Sequence, residues 1–259
     1  MTTHRTNTAQ QNADTPAGSG HAALLRGLHH GRAQGDPLIL PGPWDAASAR
    51  VFADAGFPAL ATPSAGISAS LGYADGQKTP AAEMFAAIRR ITRAVDVPVS
   101  ADIEAGYGLA PGELVERLLE AGAAGCNLED SDPATGTLVD AGQHADRLAA
   151  VVAAAGGALV VNARVDTYLR GDRTPQAAIE RALRYAAAGA DCVYPIMAPA
   201  THLGPIAEAV GIPVNALCKP GTPSPRELGA LGASRVTFGG GLQAQALEAV
   251  REMAAGLVG

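Results

Sequence analysis

From residue 38 onward, eight short apolar runs alternate with longer stretches rich in Ala, Glu and Arg. The runs are Leu38–Leu40, Ala59–Thr62, Val97–Ala101, Ala124–Leu128, Ala158–Ala163, Asp191–Pro195, Pro213–Leu217 and Arg235–Phe238. Several share one lead-in: Ala55-Gly56-Phe57, Ala121-Gly122-Ala123, Ala188-Gly189-Ala190 and Leu231-Gly232-Ala233. Each sets Gly where a helix must stop before turning into a strand. Asp96-Val97-Pro98-Val99 and Gly211-Ile212-Pro213-Val214 repeat a second helix-to-strand entry. Strands that alternate with helices run parallel. Eight such units predict an α/β fold closed as a (β/α)8 TIM barrel. The open doubly wound sheet is the alternative, and it usually carries a Gly-rich phosphate loop after its first strand. Here the first run leads instead into Pro41-Gly42-Pro43-Trp44-Asp45.

The 259 residues suffice for one such barrel with a full core. Residues 1–20 are polar and read as a disordered tail, and 21–259 read as a single catalytic domain. A short helix over His21–Arg32 precedes the first strand, with Leu24, Leu25 and Leu28 on one face. The net charge of −6 and the presence of only two lysines, Lys78 and Lys219, argue against nucleic acid as a partner. No apolar span fits a membrane or a secretory signal. Cys126, Cys192 and Cys218 show no disulfide or metal-binding spacing, which points to a reducing compartment, read as the cytoplasm.

Barrel enzymes keep their chemistry at the C-terminal ends of the strands. Those ends are acidic here. The third run leads into Asp102-Ile103-Glu104, the fourth into Glu129-Asp130, the fifth into Arg164-Val165-Asp166, and the loop after the second carries Asp75. On an extended segment Asp102 and Glu104 point the same way. Several carboxylates converging in a closed space need a compensating charge, and a hard divalent cation such as Mg²⁺ supplies it. The plainer reading makes these acids helix caps or arginine partners. Arg164 suits a substrate carboxylate held by paired hydrogen bonds, or equally a salt bridge to Asp166 or Glu129. Ser64-Ala65-Gly66 lets backbone amides approach an anionic oxygen.

Three motifs together, Leu40-Pro41-Gly42-Pro43-Trp44-Asp45-Ala46-Ala47-Ser48-Ala49, Asp102-Ile103-Glu104-Ala105-Gly106-Tyr107-Gly108 and Asn127-Leu128-Glu129-Asp130, resemble the isocitrate lyase/phosphoenolpyruvate mutase superfamily over about residues 38–250. The resemblance implies a (β/α)8 barrel assembled as a homo-oligomer, a dimer or a tetramer, in which the last barrel helix is exchanged between neighbours. It implies Mg²⁺, with Mn²⁺ as a substitute, bound directly by Asp102 and through water by Asp75, Glu104 and Glu129. It gives Asp75, Glu129 and Arg164 catalytic parts. It places Trp44, Ser64, Ala65, Gly66, Arg164 and Asn215 around a small 2-oxo acid, with Asn215 at the end of the seventh strand. The implied chemistry breaks a C–C or P–C bond next to the 2-oxo acid through a metal-stabilised enolate.

One segment departs from that family. Its lyases carry Lys-Lys/Arg-Cys-Gly-His after the fourth strand, and its phosphonate branch carries a Lys and an Asn there. This chain reads Ser131-Asp132-Pro133-Ala134-Thr135-Gly136-Thr137. A C–C lyase or hydrolase of an oxaloacetate-like acid is therefore the leading expectation. Phosphonopyruvate- or carboxyphosphonoenolpyruvate-type P–C chemistry, Schiff-base cleavage by Lys219, and a non-catalytic 2-oxo-acid-binding barrel are the alternatives. Cys126 and Cys192 read as buried packing residues, Cys218 as a remote candidate for catalysis, and His144 as a solvated or capping helix residue. Tyr107 reads as a group that polarises the 2-oxo oxygen or braces its turn, and Trp44 as pocket wall or rim packing.

Overall fold

Residues 17–33, 35–221 and 223–258 are described by the computed structural model. The strands are β1 (Leu38–Ile39), β2 (Leu60–Thr62), β3 (Val99–Asp102), β4 (Gly125–Leu128), β5 (Val160–Arg164), β6 (Cys192–Tyr194), β7 (Asn215–Leu217) and β8 (Arg235–Thr237). The helices are α1 (Ala17–Leu28), α2 (Ala46–Asp54), α3 (Ser64–Leu71), α4 (Ala81–Thr92), α5 (Pro111–Glu120), α6 (Ala141–Ala155), α7 (Thr167–Arg170), α8 (Pro175–Ala187), α9 (Ala200–Val210), α10 (Pro225–Ala230) and α11 (Gly241–Val258). All eight anticipated strands form. The strand led by Pro98 begins at Val99, because proline has no amide to donate to a ladder, and the one led by Pro213 begins at Asn215, after Val214 bridges to β6.

Two parallel ribbons make up the sheet, β2-β3-β4-β5-β6 and β7-β8-β1. They join at both edges. Val193 bridges to Val214 between β6 and β7, and the Ala61 amide donates to the Pro41 carbonyl at 3.1 Å between β1 and β2. The result is a closed (β/α)8 barrel. Its helices present apolar faces at helical spacing, as in Leu114, Val115 and Leu118 of α5 and Ala178, Ala182 and Tyr185 of α8.

Helix α1 seals the N-terminal end of the barrel. Leu25 is fully buried with Leu38, Ala124 and Val160. The approach needs Gly125, where a Cβ would lie 2.6 Å from the Val160 carbonyl and 3.2 Å from Leu25. This helix starts at Ala17, inside the stretch expected to be a disordered tail; the rest of that stretch, residues 1–16, lies outside the described residues.

The barrel interior is polar beneath the mouth. Asn162 donates to Asn127 Oδ1 at 2.8 Å, and the fully buried Arg235 reaches Ser100 Oγ at 3.3 Å and Asn127 Oδ1 at 3.4 Å. Two residues further along their strands stand Asp102, Glu129 and Arg164, so this layer is the floor of the acidic mouth.

Candidate active site

Strand β3 ends at Asp102, and the chain then leaves the extended state: Glu104 has φ of +51°. The strand alternation expected to align Asp102 with Glu104 therefore does not apply. A turn brings the second acid back instead. Two further non-glycine residues with positive φ, Gln77 (+58°) and Tyr107 (+55°), lock it there. The Gln77 amide donates to Glu104 Oε2 at 2.5 Å, the Tyr107 amide donates to Gln77 Oε1 at 2.5 Å, and the Tyr107 hydroxyl donates to Glu104 Oε1 at 2.7 Å. Each left-handed side chain costs on the order of 1 kcal/mol, and such strain gathers at functional sites. Tyr107 thus takes the bracing role of the two foreseen for it.

Asp102 accepts hydrogen bonds from Ser64 Oγ at 3.2 Å and from the Glu104 amide at 3.2 Å. Burial pushes its carboxyl above the usual range despite the pull of Arg164, and the charge of Asp75 adds to the rise. Burial likewise raises Glu104, against its bonds from Tyr107 and Gln77, with Asp75 and Asp102 contributing. Asp75 lies in an exposed turn, close enough for its charge to act on both.

Glu129 and Arg164 form an ion pair of 2.5 Å, and Arg164 also grips Asp166 through Nε at 3.0 Å and Nη2 at 2.9 Å. Both pairings foreseen for Arg164 occur together. Burial pushes Glu129 up to about 8 against Arg164, helped by Asp166, Asp102 and Glu104. Asp166 is fixed in turn by Ser131 Oγ at 2.6 Å, and its amide donates to Asp130 Oδ1 at 2.8 Å. Asp130 is buried and held by Tyr185 at 2.6 Å and Arg181 at 3.0 Å. Nothing in residue spacing announced Gln77, Arg181 or Tyr185, which act from a loop and from the middle of a helix.

Ser64, Ala65 and Gly66 form the first turn of α3 rather than a loop, and no side chain caps it. Its unsatisfied amides and positive dipole end make a place for a carboxylate. Gly66 is required there, since a Cβ would meet Pro63 at 2.9 Å and Trp44 at 3.5 Å. Gln243 holds the same turn by donating to the Gly66 carbonyl at 3.0 Å. Trp44 is half-buried at the rim.

Asn215 is the first residue of β7, not the last. It is fully buried in the floor layer, accepting from Thr237 at 3.2 Å, while Leu217 takes the mouth end of the strand. Its Nδ2 is buried and has no hydrogen-bond partner among the described residues. Lys219 is exposed, with Nζ 3.5 Å from Met197 Sδ, unlike the desolvated amine that Schiff-base chemistry needs. Cys126 and Cys192 are buried and their thiols are pushed up to about 12 by burial. His144 is buried edge-on against Tyr185, with ring centroids 5.0 Å apart, and is not solvated. The segment 131–138 is a closed turn, pairing Ser131 with Leu138 and returning the Asp132 amide to the Thr137 carbonyl at 2.8 Å.

Among the described residues, no three His, Cys, Asp or Glu side chains converge tightly enough to grip an ion by themselves. The donors at the mouth are all oxygen, and Asp102, Glu104 and Glu129 carry raised pKa values with one arginine shared between Glu129 and Asp166. That set fits a hard cation held by one carboxylate and several waters, the usual manner of Mg²⁺.

A closed parallel barrel whose polar and acidic side chains gather at the C-terminal ends of its strands has the layout of a barrel enzyme. Comparison with known proteins narrows this. The family described as phosphoenolpyruvate phosphomutase matches residues 25–258, and the chain belongs to it. An uncharacterized protein of Mycobacterium tuberculosis H37Rv is 36% identical over 214 residues, covering 82% of this chain and 80% of that one. A Burkholderia cenocepacia J2315 structure, described only provisionally as a phosphonomutase, superimposes with a TM-score of 0.83 at 38% identity, over 91% of this chain and 99% of that one. Oxaloacetate acetylhydrolase bound to its product oxalate superimposes with a TM-score of 0.81 at 26% identity, over 93% and 87% of the two chains. The protein is an enzyme of the isocitrate lyase/phosphoenolpyruvate mutase type. Among the described residues no helix is long and apolar enough to cross a membrane.

Proposed function

We propose that this enzyme uses Mg²⁺ to break a C–C bond in a small 2-oxo acid of the oxaloacetate kind. The observation that carries the reading is the Asp102 carboxyl, bonded by Ser64 Oγ at the uncapped start of α3 and by the Glu104 amide, with Glu129 at the end of the neighbouring strand. Asp102 would hold the cation directly, and Asp75, Glu104 and Glu129 would hold its waters. When bound, the cation would draw electron density from the 2-oxo acid and stabilise the enolate that develops as the bond breaks. The Ser64, Ala65 and Gly66 amides receive the substrate carboxylate, Trp44 walls the pocket, and Arg164 offers its cationic edge from the other side. The loop 131–138 brings only hydroxyls and Asp132, so proton delivery falls to Glu129 or to water.

The likeness to oxaloacetate acetylhydrolase supports C–C cleavage. The family description supports P–C chemistry as a second reading. One assay separates them. Oxaloacetate, 2-oxoglutarate and phosphonopyruvate are offered with Mg²⁺ or with EDTA, to the wild type and to Asp102→Ala. Metal-dependent cleavage of oxaloacetate, absent in the variant, is the expected result. Full turnover in EDTA would refute the proposal, and turnover of phosphonopyruvate alone would select the second reading.

Helix α11 supports a homo-oligomer. Gln243 is its buried residue, while Leu247, Val250, Met253 and Leu257 present an exposed apolar stripe. Exchange of this helix between copies would cover it.

A further inference from the structure

Arg235, at the start of β8, is 0% exposed and makes no ion pair among the described residues. Its Nη2 leans on Ser100 Oγ and Asn127 Oδ1, while Nε and Nη1 are buried without hydrogen-bond partners. A guanidinium does not give up its proton in a protein, so burial leaves it charged. Asp102 offsets the burial in part from the mouth, but its oxygens are bonded to Ser64 Oγ and the Glu104 amide. The thiols of Cys126 and Cys192, which also act on Arg235, are kept neutral by burial. Asn215 pairs in register with Arg235 across β7 and β8, so the two side chains share the inner face of the barrel. The Asn215 Oδ1 accepts from Thr237, two residues nearer the mouth, and its Nδ2 is a third buried donor without a partner.

Water could satisfy these donors but not the charge beside them, and a buried unpaired charge is the costlier fault. We infer that the barrel floor holds a small monoanion of the halide class, bound by Arg235 Nε and Nη1 and by Asn215 Nδ2. Ser100, Asn162 and Asn215 are fully buried around Arg235, and such close packing favours a single atom over a polyatomic ion. Two nearby acceptors, Asn162 Oδ1 and His29 Nε2, are also unpartnered, and they take water beside the ion. His29 Nδ1 donates to the Leu25 carbonyl at 2.7 Å, which leaves Nε2 of the neutral ring as an acceptor. A cavity of about 610 Å³ at the N-terminal end of the barrel, with His29, Arg32 and Ser234 among its walls, reaches the start of β8 and offers the ion a way in. The site is independent of the function proposed for the mouth.

The test follows thermal unfolding of the full chain in sodium chloride, bromide or gluconate at constant ionic strength, gluconate being too large for the floor. The wild-type Tm is expected to rise by at least about 2 °C between 1 and 100 mM chloride or bromide at the expense of gluconate. Arg235→Met removes the charge, and Asn215→Asp sets a carboxylate where the ion would lie; both should show no halide response. Crystals grown in bromide should give an anomalous peak against Arg235 Nε and Nη1, which decides the matter if Arg235→Met does not fold. Equal Tm values in halide and gluconate overturn the site. So does a halide response that survives in Arg235→Met or Asn215→Asp. Bromide crystals with water alone beside Arg235 overturn it as well.

Discussion

Arg164 Nη1 lies 2.5 Å from Glu129 Oε2 while the rest of the same guanidinium is committed to Asp166, so one buried cation joins the ends of β4 and β5. Removing it strands two acids in a site that burial already makes hostile to negative charge. Arg164→Ala is expected to lower stability by about 3–5 kcal/mol, the usual cost of breaking a buried pair. Urea denaturation reads this directly. A midpoint within error of the wild type would show that the pair contributes nothing to the fold.

The Tyr107 hydroxyl holds Glu104 in a turn that three left-handed residues make unfavourable alone. Tyr107→Phe should cost about 1 kcal/mol, a Tm shift of about 2–4 °C. The loss should be larger for activity at limiting Mg²⁺ than at saturating Mg²⁺, because the acid proposed to hold the metal's water is loosened. A proportional drop at both concentrations would assign Tyr107 a part other than bracing.

His29 and His144 are both held down to about 4 by burial, assisted at His29 by Arg235 and at His144 by Arg147 and Arg181. A histidine with a lowered folded-state pKa has its full stability above 6.5 and loses it as pH falls toward 4, because only the unfolded chain takes up the proton there. Each group is worth up to roughly 3 kcal/mol across that window. His29→Gln should therefore narrow the stability gap between pH 7 and pH 4.5. Parallel stability curves for variant and wild type would contradict the shift.

Truncation after Gln245 removes the exposed stripe of α11 but keeps Gln243 on the Gly66 turn. Light scattering is expected to show an oligomer for the full chain and a monomer for the truncated one. An unchanged mass would mean that the stripe is not the assembly surface.

The barrel was legible in the sequence because its signals repeat. A glycine closes one helix after another before a strand begins, and parallel strands buried on both faces read as short apolar runs. The acids were legible because barrel chemistry gathers at strand ends. What escaped was set by the third dimension. Glu104 takes a left-handed turn that strand alternation cannot foresee, and Gln77 reaches it from a loop 27 residues earlier. Asn215 falls at the beginning of β7, one residue after the Val214 bridge to β6. His144 looked like a helix-surface residue, yet α6 turns it inward onto Tyr185 from another helix. Side-chain partners that lie far apart in the chain leave no mark on local periodicity.

Mn²⁺ uptake, followed by the free-ion paramagnetic signal, decides whether the strand-end carboxylates form a metal centre. Wild type and Asp102→Ala are titrated side by side at pH 8, with circular dichroism confirming that both are folded. The wild type is expected to take up one equivalent per chain, and the variant to bind at least about tenfold more weakly. Equal uptake by the two proteins would place the ion elsewhere and contradict the role given to Asp102.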